Sequence, residues 1–112
     1  MATTIGYVEY VCEQIADAGN IRYKKMFGEY LVYVDERPAL LVCDNTVYIK
    51  IAPFLDEILG DAEKGFPYDG AKEHYILDIE DNEKAKAVAE LIVKNTPLPK
   101  PKKKPINLNK EI

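Results

Sequence analysis

The chain has 112 residues, 47% of them hydrophobic and 30% charged, which is typical of one soluble globular domain, and its apolar runs are too short to predict a membrane span. Its formal net charge of −4 is unevenly distributed: residues 97–112 hold five lysines and one glutamate, or +4, which leaves −8 for residues 1–96. An acidic body repels phosphate backbones, so contact with nucleic acid would rely on the tail or on a local basic patch.

The first predicted element is an amphipathic helix over residues 3–18. Its apolar positions recur at intervals of three and four residues, while acidic residues occupy its other sides. These apolar positions are Ile5, Val8, Val11, Cys12 and Ile15. Thr3 or Thr4 can cap the start of the helix, and Gly19 with Asn20 supplies the left-handed residue that ends it.

Residues 21–51 predict four consecutive strands. The first, residues 21–27, is expected at a sheet edge, because lysines on an edge strand discourage pairing with another chain. The other three are β-branched and aromatic runs at 29–34, 39–43 and 46–51, separated by turns at 35–38 and 44–45. Asp44 and Asn45 tolerate positive φ and predict a tight two-residue hairpin, and Gly28 predicts a bulge or a sharp change of direction.

Side-chain alternation assigns the two faces of this predicted sheet. On the strand over residues 46–51, one face is dry and the other amphipathic. The dry face carries Val47, Ile49 and Ile51, and the amphipathic face carries Thr46, Tyr48 and Lys50. The two preceding strands are apolar on both faces. Either other elements pack on both faces, or elements pack on one face and tyrosine side chains cover the other.

The second half of the chain completes an α+β pattern. Pro53 starts a short helix that Gly60 closes, residues 61–72 form a surface loop, and residues 74–79 form another strand. Asp81 and Asn82 cap a final helix with a broad apolar stripe. We therefore expect an α+β domain over residues 1–96, with a mainly antiparallel sheet of about four to five strands and N- and C-terminal helices packed on it. Residues 97–112 form a flexible Pro/Lys-rich tail.

The N-terminus and the cysteines indicate the compartment. The first ten residues lack a basic segment followed by an apolar core, so no secretory signal is predicted, and no apolar run reaches the length of a membrane span. Cys12 and Cys43 lie far apart without a Cys-x-x-Cys spacing, which favours buried, reduced thiols. We expect a cytoplasmic protein that does not contact a membrane.

Catalytic and metal-binding patterns are weak in this sequence. Cys43 and His74 lie on predicted strands, but nothing activates the thiol and no glycine-rich turn offers an oxyanion site. A single histidine with two separated cysteines is not a metal-ligand set, and the scattered carboxylates define no acid/base pair. We therefore predict no catalytic, metal or cofactor-binding residues, and a protein that is not an enzyme.

A surface of tyrosines and cations is the strongest binding signal. Its members can stack on bases or contact a partner, although tyrosines often simply roof a sheet. The predicted interaction surface consists of Arg22, Lys24, Lys25, Tyr33, Tyr48 and Lys50. The tail lysines Lys100, Lys102, Lys103 and Lys104 could add weak, salt-sensitive attraction to nucleic acid, or act only as a solubilising run.

Four short motifs carry a resemblance to a known family. They are MFGEY at residues 26–30, YVD at 33–35, YIK at 48–50 and FPYDGAK at 66–72. With the Pro/Lys-rich ending, they resemble the short, single-domain members of the TfoX/Sxy N-terminal domain family. That resemblance implies a compact α+β domain linked to regulation of natural competence, without catalytic residues or a cofactor. Longer members carry an additional C-terminal helical domain, whereas the sequence here continues after its last predicted helix with the Pro/Lys-rich residues 97–112.

Three functional hypotheses follow from these observations. The first is a non-enzymatic regulatory or interaction module that binds a so far unidentified protein partner. The second is a small nucleic-acid-associated protein that uses the tail and the cluster at residues 22–25. The third is a thiol-dependent enzyme at Cys43. Self-association into a homodimer through a sheet edge stays open.

Overall fold

Residues 3–26 and 29–96 are described by the computed structural model, in which helices pack on one face of an antiparallel sheet. The helices are α1 (Ile5–Gln14), α2 (Asp56–Leu59) and α3 (Asn82–Asn95), with 3₁₀ turns at Ala16–Ala18 and Pro53–Leu55. The strands are β1 (Ile21–Met26), β2 (Glu29–Val34), β3 (Arg37–Cys43), β4 (Thr46–Lys50), β5 (Lys64–Gly65) and β6 (His74–Leu77). Their order across the sheet is β1-β2-β3-β4-β6-β5.

The predicted α+β class is confirmed, and the described sheet has six strands where four to five were expected. The additional strand is β5, which lies inside the segment predicted as a loop and pairs with β6. A two-residue strand of Lys64 and Gly65 has no apolar alternation, so the sequence offers no strand signal there. Gly65 fits this position because a Cβ atom would lie 3.1 Å from Cδ1 of Ile76.

The two tight turns within the described ranges, between β2 and β3 and between β3 and β4, depend on residues with positive φ. Asp44 and Asn45 each have φ of 52°, which confirms the predicted two-residue turn. The turn predicted over residues 35–38 is shorter, because Asp35 and Glu36 alone have positive φ and β3 already begins at Arg37. The β2–β3 register shifts beside the Tyr33–Pro38 pair. This irregularity accommodates a proline, which lacks the N–H that a regular ladder requires.

Helix α1 is shorter than the predicted helix over residues 3–18. Thr4 is its N-cap and accepts a hydrogen bond from the Tyr7 N–H at 3.2 Å. Thr3 has a different role, since its hydroxyl donates to the Val42 carbonyl and accepts from the Asn45 N–H, both at 3.3 Å. The start of α1 is therefore attached to the β3–β4 hairpin.

The hydrophobic core lies between the helices and one face of the sheet. From the sheet it takes Tyr30, Val32, Val34, Leu40, Val42, Val47, Ile49, Tyr75 and Leu77. From the helices and their flanks it takes Val8, Val11, Ile15, Leu55, Leu59, Ala85, Val88, Ala89 and Ile92. The dry face predicted for β4 is confirmed at Val47 and Ile49, whereas Ile51 follows the strand and is 39% exposed. Similarly, Ile5 of the predicted helical stripe is 54% exposed.

Some expectations concern residues outside the described ranges 3–26 and 29–96. These are the bulge at Gly28, the end of the first strand at Phe27, and the flexible tail over residues 97–112. Within the described ranges, none of the helices is both long and apolar enough to cross a membrane.

Candidate interaction surface

The sheet face opposite the core carries three rows of side chains that no described helix packs against. The strand register places Met26, Glu29, Cys43 and Thr46 in the first row. It places Lys24, Leu31, Leu41, Tyr48 and Ile76 in the second. It places Arg22, Tyr33, Lys50 and His74 in the third. We call these three rows the open face.

The open face brings together most of the interaction surface predicted from the sequence. Five of the six predicted residues lie on it, namely Arg22, Lys24, Tyr33, Tyr48 and Lys50. Lys25 does not, because it pairs with Tyr30, whose side chain is in the core, and side chains on adjacent residues of a strand point to opposite faces. The tail lysines at 100 and 102–104 lie outside the described residues.

The guanidinium group of Arg22 forms an ion pair with Glu36 and stacks on Tyr33. Its Nη2 lies 2.9 Å from Oε1 of Glu36, its Nε donates to both carboxylate oxygens at 3.0 Å, and its guanidinium carbon lies 4.0 Å from the centroid of the Tyr33 ring. The hydrogen bond to Glu36 raises the pKa of Arg22, and the same bond lowers the pKa of Glu36. Lys24 and Lys50 are exposed and form no ion pair with any described residue, so they are the free cations of the open face.

An apolar ridge crosses the middle of the open face. Leu31, Leu41, Tyr48 and Ile76 follow one another across β2, β3, β4 and β6, and each is half-buried. Beyond β5 the chain continues with Phe66 and Tyr68, which are 62% and 57% exposed. Because the ridge and these aromatic side chains are incompletely covered, this side of the protein has apolar area available for a contact.

A cavity of about 440 Å³ opens on this face and is lined by Met26, Glu29, Leu41 and Tyr68. Tyr68 belongs to the segment between β5 and β6, so that segment forms one wall of the cavity. The volume is within the range of small-ligand pockets. This cavity could not be predicted from the sequence, because it is lined by residues about forty positions apart, such as Met26 and Tyr68, whose proximity depends on the fold.

Glu29 and Cys43 are neighbours in the first row. Burial raises the pKa of the Cys43 thiol to about 12, with the nearby Glu29 carboxylate and its hydrogen bond to the thiol contributing in the same direction. The Oε1 atom of Glu29 is buried and has no hydrogen-bond partner. A thiol with so high a pKa is protonated at neutral pH and is a poor nucleophile.

The register also separates Cys43 from His74. Cys43 pairs with Thr46 and His74 pairs with Lys50, and these two partners are four residues apart on β4, or about 13 Å. The His74 ring donates from Nδ1 to the Lys72 carbonyl at 2.7 Å. The Cys–His pair considered from the sequence is therefore not assembled. Both cysteines are free thiols, and within the described ranges no group of three or more His, Cys, Asp or Glu residues is arranged to hold a metal ion.

Comparison with known proteins identifies related sequences. The sequence model of the TfoX N-terminal domain family matches residues 13–94. A protein of Spirochaeta aurantia described as "Uncharacterized 12.7 kDa protein in trpE 5'region" is 33% identical over 105 residues, which cover 92% of this chain and 91% of that protein. The match with the family spans all six described strands, α2 and nearly all of α3, but only the last two residues of α1.

Proposed function

Since the chain belongs to the TfoX N-terminal domain family, we propose that it is a non-enzymatic regulatory module that binds a protein partner through the open face. The family is associated with regulation of competence, which supports the regulatory part of the proposal. The partner class is inferred from the surface of this chain.

The observation that carries the proposal is the composition of the open face. A half-buried apolar ridge lies in its centre, and the exposed cations Lys24 and Lys50 lie at its border. An apolar centre with a charged rim is the usual anatomy of a protein–protein contact. Tyrosine is also among the residues that most often dominate binding energy at such contacts, and Tyr48 lies in the ridge.

The chemistry of the described residues favours binding over catalysis. The high pKa of Cys43 argues against a thiolate nucleophile, and its separation from His74 leaves it without a base. A binding module requires neither group.

Affinity capture from a lysate of the source organism tests the proposal. The full chain is compared with the charge reversal Lys24→Glu/Lys50→Glu on the open face and with the matched reversal Lys84→Glu/Lys94→Glu on α3, all four side chains being exposed. We expect a protein that is retained by the full chain and by the α3 variant, and lost by the open-face variant. Equal retention by all three would refute binding through the open face.

Binding of single-stranded nucleic acid is the second candidate. The observation in its favour is that Tyr33 and Tyr48 share a face with cations, which is the arrangement of a base-stacking platform. Against it, Arg22 is neutralised by Glu36 and the body of the chain is acidic. Fluorescence anisotropy of a labelled oligonucleotide, with the full chain and with Tyr33→Ala, distinguishes the candidates. Salt-sensitive binding that Tyr33→Ala abolishes would favour nucleic acid over a protein partner.

A further inference from the structure

The three rows of the open face differ in charge from the rest of the body. They carry three cations, Arg22, Lys24 and Lys50, and one carboxylate, Glu29. Residues 1–96 together carry a net charge of −8, so the excess of carboxylates lies outside these rows. Arg22 already has an ion-pair partner, whereas Lys24 and Lys50 form no ion pair with a described residue. A partner that approaches this face is therefore favoured when it is acidic.

An open depression lies beside Lys50 on this face. It has a volume of about 190 Å³ and is lined by Leu31, Leu41 and Tyr48 of the second row and by Lys50 and His74 of the third. The three side chains of the second row are half-buried, so part of their apolar surface contacts solvent. Lys50 is exposed, so a group that enters the depression can reach its ammonium. The volume is below the usual range of small-ligand pockets and suits a single side chain.

We propose that this depression binds an acidic segment of the protein partner, in which one apolar side chain packs against Leu31 and Leu41 and a neighbouring carboxylate pairs with Lys50. The inference deepens the proposed function and rests on it, because it states the chemistry of the partner. Burial of the apolar side chain supplies most of the affinity, while the ion pair discriminates against neutral partners. A second carboxylate of the same segment can pair with Lys24, three strands away from Lys50, or about 14 Å across the sheet.

A nucleic acid fits this surface less well. Its backbone carries a phosphate at every nucleotide and continues beyond the depression, over the acidic remainder of the body. An acidic protein segment can confine its carboxylates to the positions that face Lys24 and Lys50. Because the acidic remainder repels such a segment from the other sides of the protein, the charge distribution also favours one orientation.

Three blocked hexapeptides test the two parts of the proposal. The acidic apolar probe is acetyl-Asp-Asp-Leu-Phe-Asp-Asp-amide. Its Asn-Asn-Leu-Phe-Asn-Asn counterpart lacks the charges, and its Asp-Asp-Ser-Ser-Asp-Asp counterpart lacks the apolar side chains. Each is titrated into the full chain at about 0.15 M salt, where distant charges are screened, while the NMR signals of the Leu31 and Leu41 methyl groups are followed. We expect saturable shifts with the acidic apolar probe, and binding at least about threefold weaker for each counterpart.

Two variants locate the ion pair. Lys50→Met removes the charge of an exposed side chain but keeps an apolar stem, so we expect it to weaken the acidic apolar probe by about threefold without weakening the neutral counterpart. Lys84→Met, at an exposed lysine on α3, is the matched control and should leave the binding of all three peptides unaffected. A six-nucleotide oligothymidylate, titrated in the same way, should bind more weakly than the acidic apolar probe.

Equal binding of the acidic and neutral peptides, probe binding that Lys50→Met does not weaken, or tighter binding of the oligothymidylate would overturn the inference. The result is separable from that of the capture experiment. If the peptides fail while the Lys24→Glu/Lys50→Glu variant still loses a partner, the open face stands as the interaction surface and only the acidic segment is wrong. If the acidic apolar probe binds as expected and capture is equal for all three proteins, the depression stands as a binding site and the proposed function is wrong.

Discussion

Replacing Gly19 with alanine tests how the connection between the first helix and the sheet is built. Gly19 has φ of 155° and ψ of −158°, a conformation that is essentially restricted to glycine. A Cβ atom there would lie 2.7 Å from Oδ1 of Asp35, closer than real Cβ contacts. The same Oδ1 accepts the N–H of Asn20 at 2.8 Å, and the Asp35 N–H donates to the Asn20 carbonyl, also at 2.8 Å. The substitution therefore strains the backbone and displaces a carboxylate that is hydrogen-bonded.

The two effects can be assigned magnitudes. Backbone strain of this kind costs about 1–3 kcal/mol. Rotating Asp35 away loses a charge-assisted hydrogen bond worth about 1.5–3 kcal/mol, and exposure to solvent favours the low end of that range. We expect Gly19→Ala to lower the free energy of unfolding by about 3 kcal/mol, which corresponds to a Tm at least about 10 °C lower for a domain of this size.

Urea denaturation with a double-mutant cycle measures both parts. Asp35→Gly removes the carboxylate and suits the φ of 49° at that position, so in its background Gly19→Ala should cost only the strain. The control is Gly6→Ala in α1, where an added Cβ meets no atom within 4 Å and alanine should stabilise the helix by about 1 kcal/mol. A cost below about 0.5 kcal/mol for Gly19→Ala, or strict additivity with Asp35→Gly, would refute the reasoning.

Three further predictions concern stability. Thr3→Val keeps the shape of a buried side chain but removes its hydrogen bonds to the β3–β4 hairpin, and urea denaturation should show a loss of about 1–2 kcal/mol. The pKa of Cys43 is about 12 in the folded state against an ordinary 9.0, so the folded protein holds the thiol proton more tightly than the unfolded chain does. The resulting contribution to the free energy of unfolding is fully present below pH 9 and is lost as the pH rises from about 9 to 12. The free energy of unfolding should therefore be lower at about pH 10.5 than at pH 7. Cys43→Ala should reduce the difference between the two pH values, and an unchanged difference would contradict the assignment to Cys43. Arg37→Lys removes the planar fork that donates to the carbonyls of Thr96 at 2.7 Å and Asp35 at 2.9 Å, and hydrogen exchange should become faster in the last turn of α3 but not in its first.

Features that depend on neighbouring residues were predictable from the sequence. The Asp44-Asn45 hairpin, the cap at Thr4 and the cap at Asp81 each follow from the preferences of a few consecutive residues. The buried face of β4 follows from alternation, because the two faces of a strand are set by a period of two. Together these local signals were sufficient for the α+β class.

Features that depend on pairing between distant segments were not predictable in the same way. The two-residue β5 forms because β6 provides the backbone groups with which it hydrogen-bonds. The short turn at Asp35-Glu36 is possible because the β2–β3 register shifts beside Pro38. The sequence indicated that Lys25 belonged with the other cations at residues 22–24. Its backbone partner, Tyr30, shows instead that its side chain points to the helical side.

The candidate site likewise has a part that was predictable from the sequence and a part that depends on the fold. Its tyrosines and lysines were recognisable as residue types, but only the register across β1, β2, β3, β4 and β6 placed them in rows on one face. The cavity that Glu29 lines had no counterpart in the sequence, since it requires Met26, Leu41 and Tyr68 to meet beside it. Local propensity determined which elements form, because it acts between residues a few positions apart. Tertiary structure decided which surface they build, because burial and hydrogen-bond satisfaction are properties of segments that meet only on folding.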